Sequence, residues 1–321
     1  MKLSPTSCRW PVVPARKIEP DTRELAAADA DRFALAFSLV EVLLVVTLLS
    51  LIVLALMSVF SNTQAAFRAS VTQTDVLEGS RSAMELISSD LRGLTASGSS
   101  SNITFSGPTV VNFATLANGT GYAPLPQTLP ASPYSRLNLL NYFFMLGRNN
   151  NNQWVGIGYA VNHADNNTLY PLYRFYTNSA GNASSTPPPL GWFYNFQNNI
   201  LYAHWTNMSH VMDGVVHLVV RARDPRGNWI NYGAHGYTNA MNLNFPTPQT
   251  VYGEAQIYMF SNTVPAAVEL QLGVLEDQAI QRALAFPTTT ARTNYLAKQA
   301  GRTHIFRQLV SIPNVDPSAY Q

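Results

Sequence analysis

The sequence predicts an α+β protein: a long N-terminal helix, half membrane-like and half amphipathic, packed on a head of antiparallel β-sheet. Three observations predict it. Residues 37–60, FSLVEVLLVVTLLSLIVLALMSVF, form a nearly continuous apolar run in which Glu41 is the only ionisable residue. Residues 61–95 contain no proline and repeat apolar or small side chains at helical spacing. From residue 103 onward, short β-like runs alternate with turns rich in Gly, Pro and Asn.

The apolar run matches the length of a bilayer-crossing helix, about 20 residues at roughly 1.5 Å each. A core helix of a globular domain rarely reads apolar on every face. A carboxylate just inside such a span is costly to bury, so Glu41 is a functional candidate by default. Its bland alternative is a side chain that snorkels to the headgroups. Arg9, Arg16, Lys17, Arg23 and Arg32 precede the span, and the first basic residue after it is Arg68. That asymmetry predicts a cytoplasmic N-terminus and an extracytoplasmic head. A secretory signal has a shorter apolar region followed by a small-residue cleavage site.

The helix is predicted to continue past the membrane. Phe67, Val71, Thr74, Leu77, Met84, Ile87, Leu91 and Leu94 recur at helical spacing. Arg68, Asp75, Glu78, Arg81, Glu85, Asp90 and Arg92 fall mostly on the other side. One helix over 38–95 is predicted, roughly 85 Å long by the standard rise. The domain reading is a leader over 1–36, a transmembrane half over 37–60, an amphipathic half over 61–95 and a head over 96–321.

The motif around Glu41 carries a resemblance. Ala36-Phe37-Ser38-Leu39-Val40-Glu41 before a long apolar span resembles the cleavage and methylation signal of type IV pilins and type II secretion pseudopilins. The family favours Gly where this chain has Ala36. The resemblance implies cutting between Ala36 and Phe37 by a prepilin peptidase and N-methylation of Phe37. It implies assembly through Glu41 with other pilin-like subunits, a lollipop-shaped fold, and an inner-membrane anchor with a periplasmic head. Paired charges are tolerated in a low-dielectric setting where an unpaired one is not, so a neighbouring chain's terminal amine beside Glu41 would fix axial register.

In the head, residues 96–102 are predicted to be a connection. Strands are predicted at 103–105, 110–113, 139–146, 154–161, 169–176 and 201–205, with irregular chain over 122–133 and an exposed polar loop over 178–189. The Asn-rich turn after Gly147 predicts a hairpin between 139–146 and 154–161. Asp213-Gly214-Val215, the turn Asp224-Pro225-Arg226-Gly227, the alternating run from Val268 and a closing strand over 303–312 resemble the C-terminal half of J-class minor pseudopilins. Residues 231–262 and 276–302 read as insertions.

Charged residues make up 12% of the chain and the net charge is +2, which argues against a nucleic-acid binder. Cys8, in the leader, is the sole cysteine, so a processed chain has no disulfide or thiolate chemistry. No catalytic signature is present, so the protein is predicted not to be an enzyme. The histidines are scattered, and His204 and His210, six apart, form no recognisable ligand pair. Some pseudopilins bind calcium. Asp165 in HADNNT and Asp224 in DPRGN are the candidate oxygen ligands, but each loop brings one carboxylate, which favours solvated turns and no cofactor. Trp192-Phe193-Tyr194 is either an interaction patch or core.

Two functions follow. One is a minor pilin-like structural subunit of a type II secretion or type IV pilus-like filament, near its tip. The other is a singly anchored extracytoplasmic binding or adhesion domain that never polymerises.

Overall fold

In the computed structural model, described residues are 38–98, 110–117, 122–130, 132–164, 169–179, 190–237 and 242–320. The chain divides into two compact units, residues 1–61 and 62–321. The predicted leader, the predicted strand at 103–105 and most of the predicted 178–189 loop lie outside the described residues.

Helix α1 (Leu39–Arg92) is 54 residues long, about 80 Å by the standard rise. It begins with a reciprocal pair of hydrogen bonds. The Ser38 N–H donates to Glu41 Oε2 at 3.0 Å, and the Glu41 N–H donates to Ser38 Oγ at 3.3 Å. This is a capping box, which satisfies two donors that every helix start leaves orphaned. The helix stops at Gly93, short of the predicted residue 95, because the chain there turns to pair with a strand. Leu94 bridges Gly147, and the Thr95 N–H donates to the Leu146 carbonyl at 3.0 Å. A Cβ on Gly147 would lie 2.6 Å from the Gly93 carbonyl oxygen, so that crossing needs glycine.

In the first unit, every described residue of the helix is exposed. Among the described residues, one helix, Leu39–Arg92, holds a segment long and apolar enough to cross a membrane.

The second unit holds the sheets. Their strands are β1 (Phe113–Ala117), β2 (Leu125–Thr128), β3 (Ser135–Asn138), β4 (Asn141–Arg148), β5 (Trp154–Val161), β6 (Leu172–Asn178) and β7 (Ser209–Met212). Then come β8 (Val215–Arg223), β9 (Leu243–Asn244), β10 (Thr250–Val251), β11 (Glu254–Ala255), β12 (Ile257–Met259), β13 (Ala267–Leu275) and β14 (Thr303–Ser311). A seven-stranded sheet runs β7-β6-β5-β4-β1-β12-β9, and a three-stranded sheet runs β14-β13-β8. Pairing within both is antiparallel. The predicted hairpin is present, with Arg148 opposite Trp154 and Phe143 opposite Tyr159.

From Val76 onward, α1 lays Ala83, Met84, Ile87 and Leu91 into the main core, and the turn after it adds Leu94, against Phe143, Met145 and Tyr159 of one sheet and Leu218, Leu270 and Leu272 of the other. Ile87, Leu91 and Leu94 are fully buried. Each contributes about 1.5–3 kcal/mol of apolar burial, and Leu91→Ala would cost about 2–5 kcal/mol. The predicted Met84, Ile87, Leu91 and Leu94 are buried as expected, but the stripe begins later than predicted and enters through Val76 and Ser80 in place of Leu77. Val76, Ser80 and Ala83 are buried, whereas Phe67, Val71 and Leu77 are exposed.

The seven-stranded sheet is covered on its other face too. Helix α2 (Trp192–Leu201) packs Phe193 and Phe196 against Phe144, Ala160 and Phe175 in a second core. Phe143 and Phe144 thus point into different cores, as strand alternation requires. Burial on both faces explains the unbroken apolar run of β4. Two glycines let α2 approach. A Cβ on Gly158 would fall 2.5 Å from the Phe196 ring, and one on Gly156 would fall 2.8 Å from the Trp192 ring.

Three further expectations are corrected. Residues 201–205 are not a strand; they close α2 and enter a short 3-10 turn at Trp205–Asn207. The Phe193, Phe196, Ile200 spacing is helical, and a helix there covers the sheet. Residues 122–133 are not wholly irregular, since β2 pairs with β3. The segment 110–113 becomes a strand only from Phe113, because the Asn112 side chain turns aside to donate to the carbonyls of Ser261 (2.7 Å) and Thr263 (3.0 Å). The 276–302 insertion holds α3 (Asp277–Leu284) and α4 (Thr289–Leu296), whose Ala279, Ile280, Ala283 and Leu296 cover Leu125, Val216 and Leu275.

Candidate functional site

Ala36 and Phe37, the predicted processing site, lie outside the described residues, as does Asp165. Glu41 lies in the first turn of α1, exposed like its neighbours. Its carboxylate is aimed by the capping box, with one oxygen accepting from the Ser38 N–H. The pattern Ser-x-x-Glu at Ser38 and Glu41 is the sequence signature of this cap.

Asp90 is the polar residue of α1 that sequence reasoning misplaced. Helical spacing put it on the solvent side, but it faces the sheet. Arg174 of β6 donates to it twice, Nε to Oδ2 at 2.8 Å and Nη2 to Oδ1 at 2.9 Å. The Tyr159 hydroxyl of β5 also donates to Oδ2, at 2.5 Å. Burial, then the Asp90 charge, push the Tyr159 phenol well above its ordinary pKa, so it stays a donor. The bidentate fork fixes where the end of α1 sits on the sheet.

A second charged cluster crosses β8 and β13. Arg221 pairs with Glu254 and Glu269, and Arg223 donates to Glu269 at 2.6 Å. Both guanidinium groups lie over the Trp229 ring, at 4.6 and 5.4 Å from its centroid. Burial raises the Glu269 pKa, but hydrogen bonds from Arg223 and Gln271 and the nearby arginines outweigh it and hold the carboxyl below its usual range. The cluster is internally matched in charge and reads as sheet stabilisation.

Asp224 is a turn residue. The predicted tight turn closes with the Gly227 N–H donating to the Asp224 carbonyl at 2.9 Å. The Asp224 carboxylate accepts from the Asn228 N–H at 2.7 Å and from the Tyr237 hydroxyl at 2.5 Å. Its oxygens are engaged by its own chain. Among the described residues, no group of three or more His, Cys, Asp or Glu is placed to hold a metal ion.

The histidines are not gathered. His210 meets Asp213 at 2.9 Å, and His304 meets Glu276 at 3.1 Å. His217 is buried and its Nδ1 accepts from the Leu139 N–H at 3.1 Å. Burial is the main cause that pushes its pKa down to about 4, so it is neutral at pH 7. Of the Trp192-Phe193-Tyr194 aromatics, Phe193 is core, Trp192 is half-buried and Tyr194 is exposed.

Compared with known proteins, the chain matches no family model, no curated protein and no solved structure.

Proposed function

We propose that the protein is a minor pilin-like structural subunit, anchored in the bacterial inner membrane with its head in the periplasm before it enters a type II secretion or type IV pilus-like filament near the tip. One observation carries this reading. A single helix combines an apolar first half, exposed over its whole length, with a carboxylate in its first turn. Such a surface needs either lipid or other copies of the same kind of helix around it. Glu41, aimed along the helix start, suits pairing with the processed amine of a neighbouring chain. The Ala36-to-Glu41 motif and the α+β head with its long helix agree with that reading. The prepilin peptidase and other pilin-like subunits are the partners, and assembly is the task.

A second reading, a singly anchored binding domain, is favoured by the capping box, which gives Glu41 work within its own chain. Glu41→Gln separates the two, because the amide oxygen still caps while the charge is lost. Glu41→Ala and Glu41→Gln are both expected to insert in the membrane and to lose co-purification with other pilin-like subunits. Undiminished co-purification of Glu41→Ala would sink the filament reading. Loss in Glu41→Ala alone would reduce Glu41 to a helix cap.

A further inference from the structure

We infer that the groove beside the C-terminal end of α2 binds a neutral saccharide chain. The groove has a volume of about 450 Å³, within the usual size of ligand clefts. It lies where α2 and the turn after it meet the ends of β4 and β5. Tyr142 and Asn162 come from the sheet side, Tyr194 and Asn198 from the helix, and Tyr202 and Trp205 from the turn. Three features of this wall specify the ligand.

The first is aromatic surface open to solvent beside rings anchored in the second core, Tyr142 and Trp205. Tyr194 is 60% exposed and Tyr202 is 63% exposed. Trp205 is half-buried, held by Tyr173 at 5.2 Å between ring centroids. Open aromatic faces pack against the apolar C–H faces of sugar rings, with the polar tip of the residue left free for a hydroxyl.

The second is hydrogen-bonding capacity that no described residue takes up. The Asn198 amide and the Tyr194 and Tyr202 hydroxyls make no hydrogen bond to other described residues, while all three residues line the groove. An amide supplies a donor and an acceptor together, which is what a ring hydroxyl offers in return.

The third is the lack of charge. Among the described residues, no Asp, Glu, Lys or Arg lines the groove. His163 also lines it, and burial pulls its pKa below the ordinary value, so it too is neutral at pH 7. The described part of the wall supplies no charge to pair with an anionic or cationic ligand, which would surrender its hydration there without a partner. The local backbone holds the set in place. Ala203 adopts a left-handed conformation, with φ 55°, and the His204 N–H donates to the Asn199 carbonyl at 2.8 Å to close the helix. A non-glycine residue held there is strained, and such strain persists where the surroundings impose it.

The inference rests on the second unit alone and holds whether or not the protein polymerises. Its test uses the full chain in lipid nanodiscs, which avoids sugar-based detergents. Saturation-transfer NMR would be recorded on maltotriose, cellotriose, triacetylchitotriose and the charged sialyllactose, titrated to about 20 mM to capture Kd values near 1 mM. At least one neutral trisaccharide is expected to bind saturably, more tightly than sialyllactose. Tyr194→Ala and Tyr202→Ala, at exposed positions, are each expected to weaken it about fivefold to tenfold. The inference is overturned if no neutral probe binds, if sialyllactose binds as tightly, or if both variants bind like the parent. It is also overturned if the variants lose self-association or a partner protein while no saccharide binds, which would make the groove a protein contact.

Discussion

Arg174 and Asp90 meet through two parallel hydrogen bonds, 2.8 and 2.9 Å long, that tie strand β6 to the last turn of α1. The side chains are 21% and 13% exposed, so the pair is largely removed from water. Apolar burial is non-directional, whereas the fork adds a contact with fixed geometry between helix and sheet.

Removing one partner leaves the other charge stranded. Asp90→Ala is expected to lower the stability of the second unit by about 2–3 kcal/mol. Arg174→Met added to Asp90→Ala should recover much of the loss. Urea denaturation of the full chain in nanodiscs, followed by tryptophan fluorescence, measures both. Equal losses in the single and double variants would show that the pair is incidental.

Gly158 lets α2 reach the sheet. Gly158→Ala would place its Cβ 2.5 Å from the Phe196 ring, so α2 must lift or the strand must shift. The expected cost is about 1–3 kcal/mol, reduced when Phe196→Leu is added. Thermal unfolding of the two variants checks this, and an unperturbed Gly158→Ala would contradict the packing described.

His217 predicts a pH dependence. Its pKa is about 4 in the folded chain against an ordinary 6.5, because burial penalises the charged ring. Between those values the unfolded chain binds the proton more readily, so stability falls as pH falls from 6.5 towards 4. The contribution is of order 3 kcal/mol, fully present above pH 6.5. His217→Gln should flatten that part of the stability profile, and a parent-like slope in the variant would assign the dependence elsewhere.

Ala36 stands where the resembling family favours glycine. Ala36→Gly is therefore expected to speed removal of the leader, read as the ratio of precursor to shorter chain in a pulse-chase experiment. Slower processing would count against a peptidase of that kind.

The long helix, the hairpin of β4 with β5 and the strands β13 and β14 were legible because each carries a period or a turn of its own. The rest depended on contacts between distant segments. Asp90 looked solvent-facing until Arg174, 84 residues away, supplied its partner. Leu77 and Val76 are adjacent, and spacing alone did not decide which of them meets the sheet; the docking angle buries Val76. Helix α2 was hidden because Phe193, Phe196 and Ile200 are split by exposed Tyr194 and Asn195 and followed by an apolar Leu-Tyr-Ala run that reads as strand. The groove was missed for the same reason. Its aromatics come from 142, 194, 202 and 205, and only the fold brings them together. Of the proposed assembly site, Glu41 was legible from its apolar surroundings, while its hydrogen bond to the Ser38 N–H needed the helix start itself.

The most direct measurement is mass spectrometry of the N-terminus of the protein purified from its native membrane. A chain beginning at Phe37 with a methylated amine, bound to other pilin-like subunits, is expected. A chain still beginning at Met1, or cut anywhere other than between Ala36 and Phe37, would contradict the filament reading.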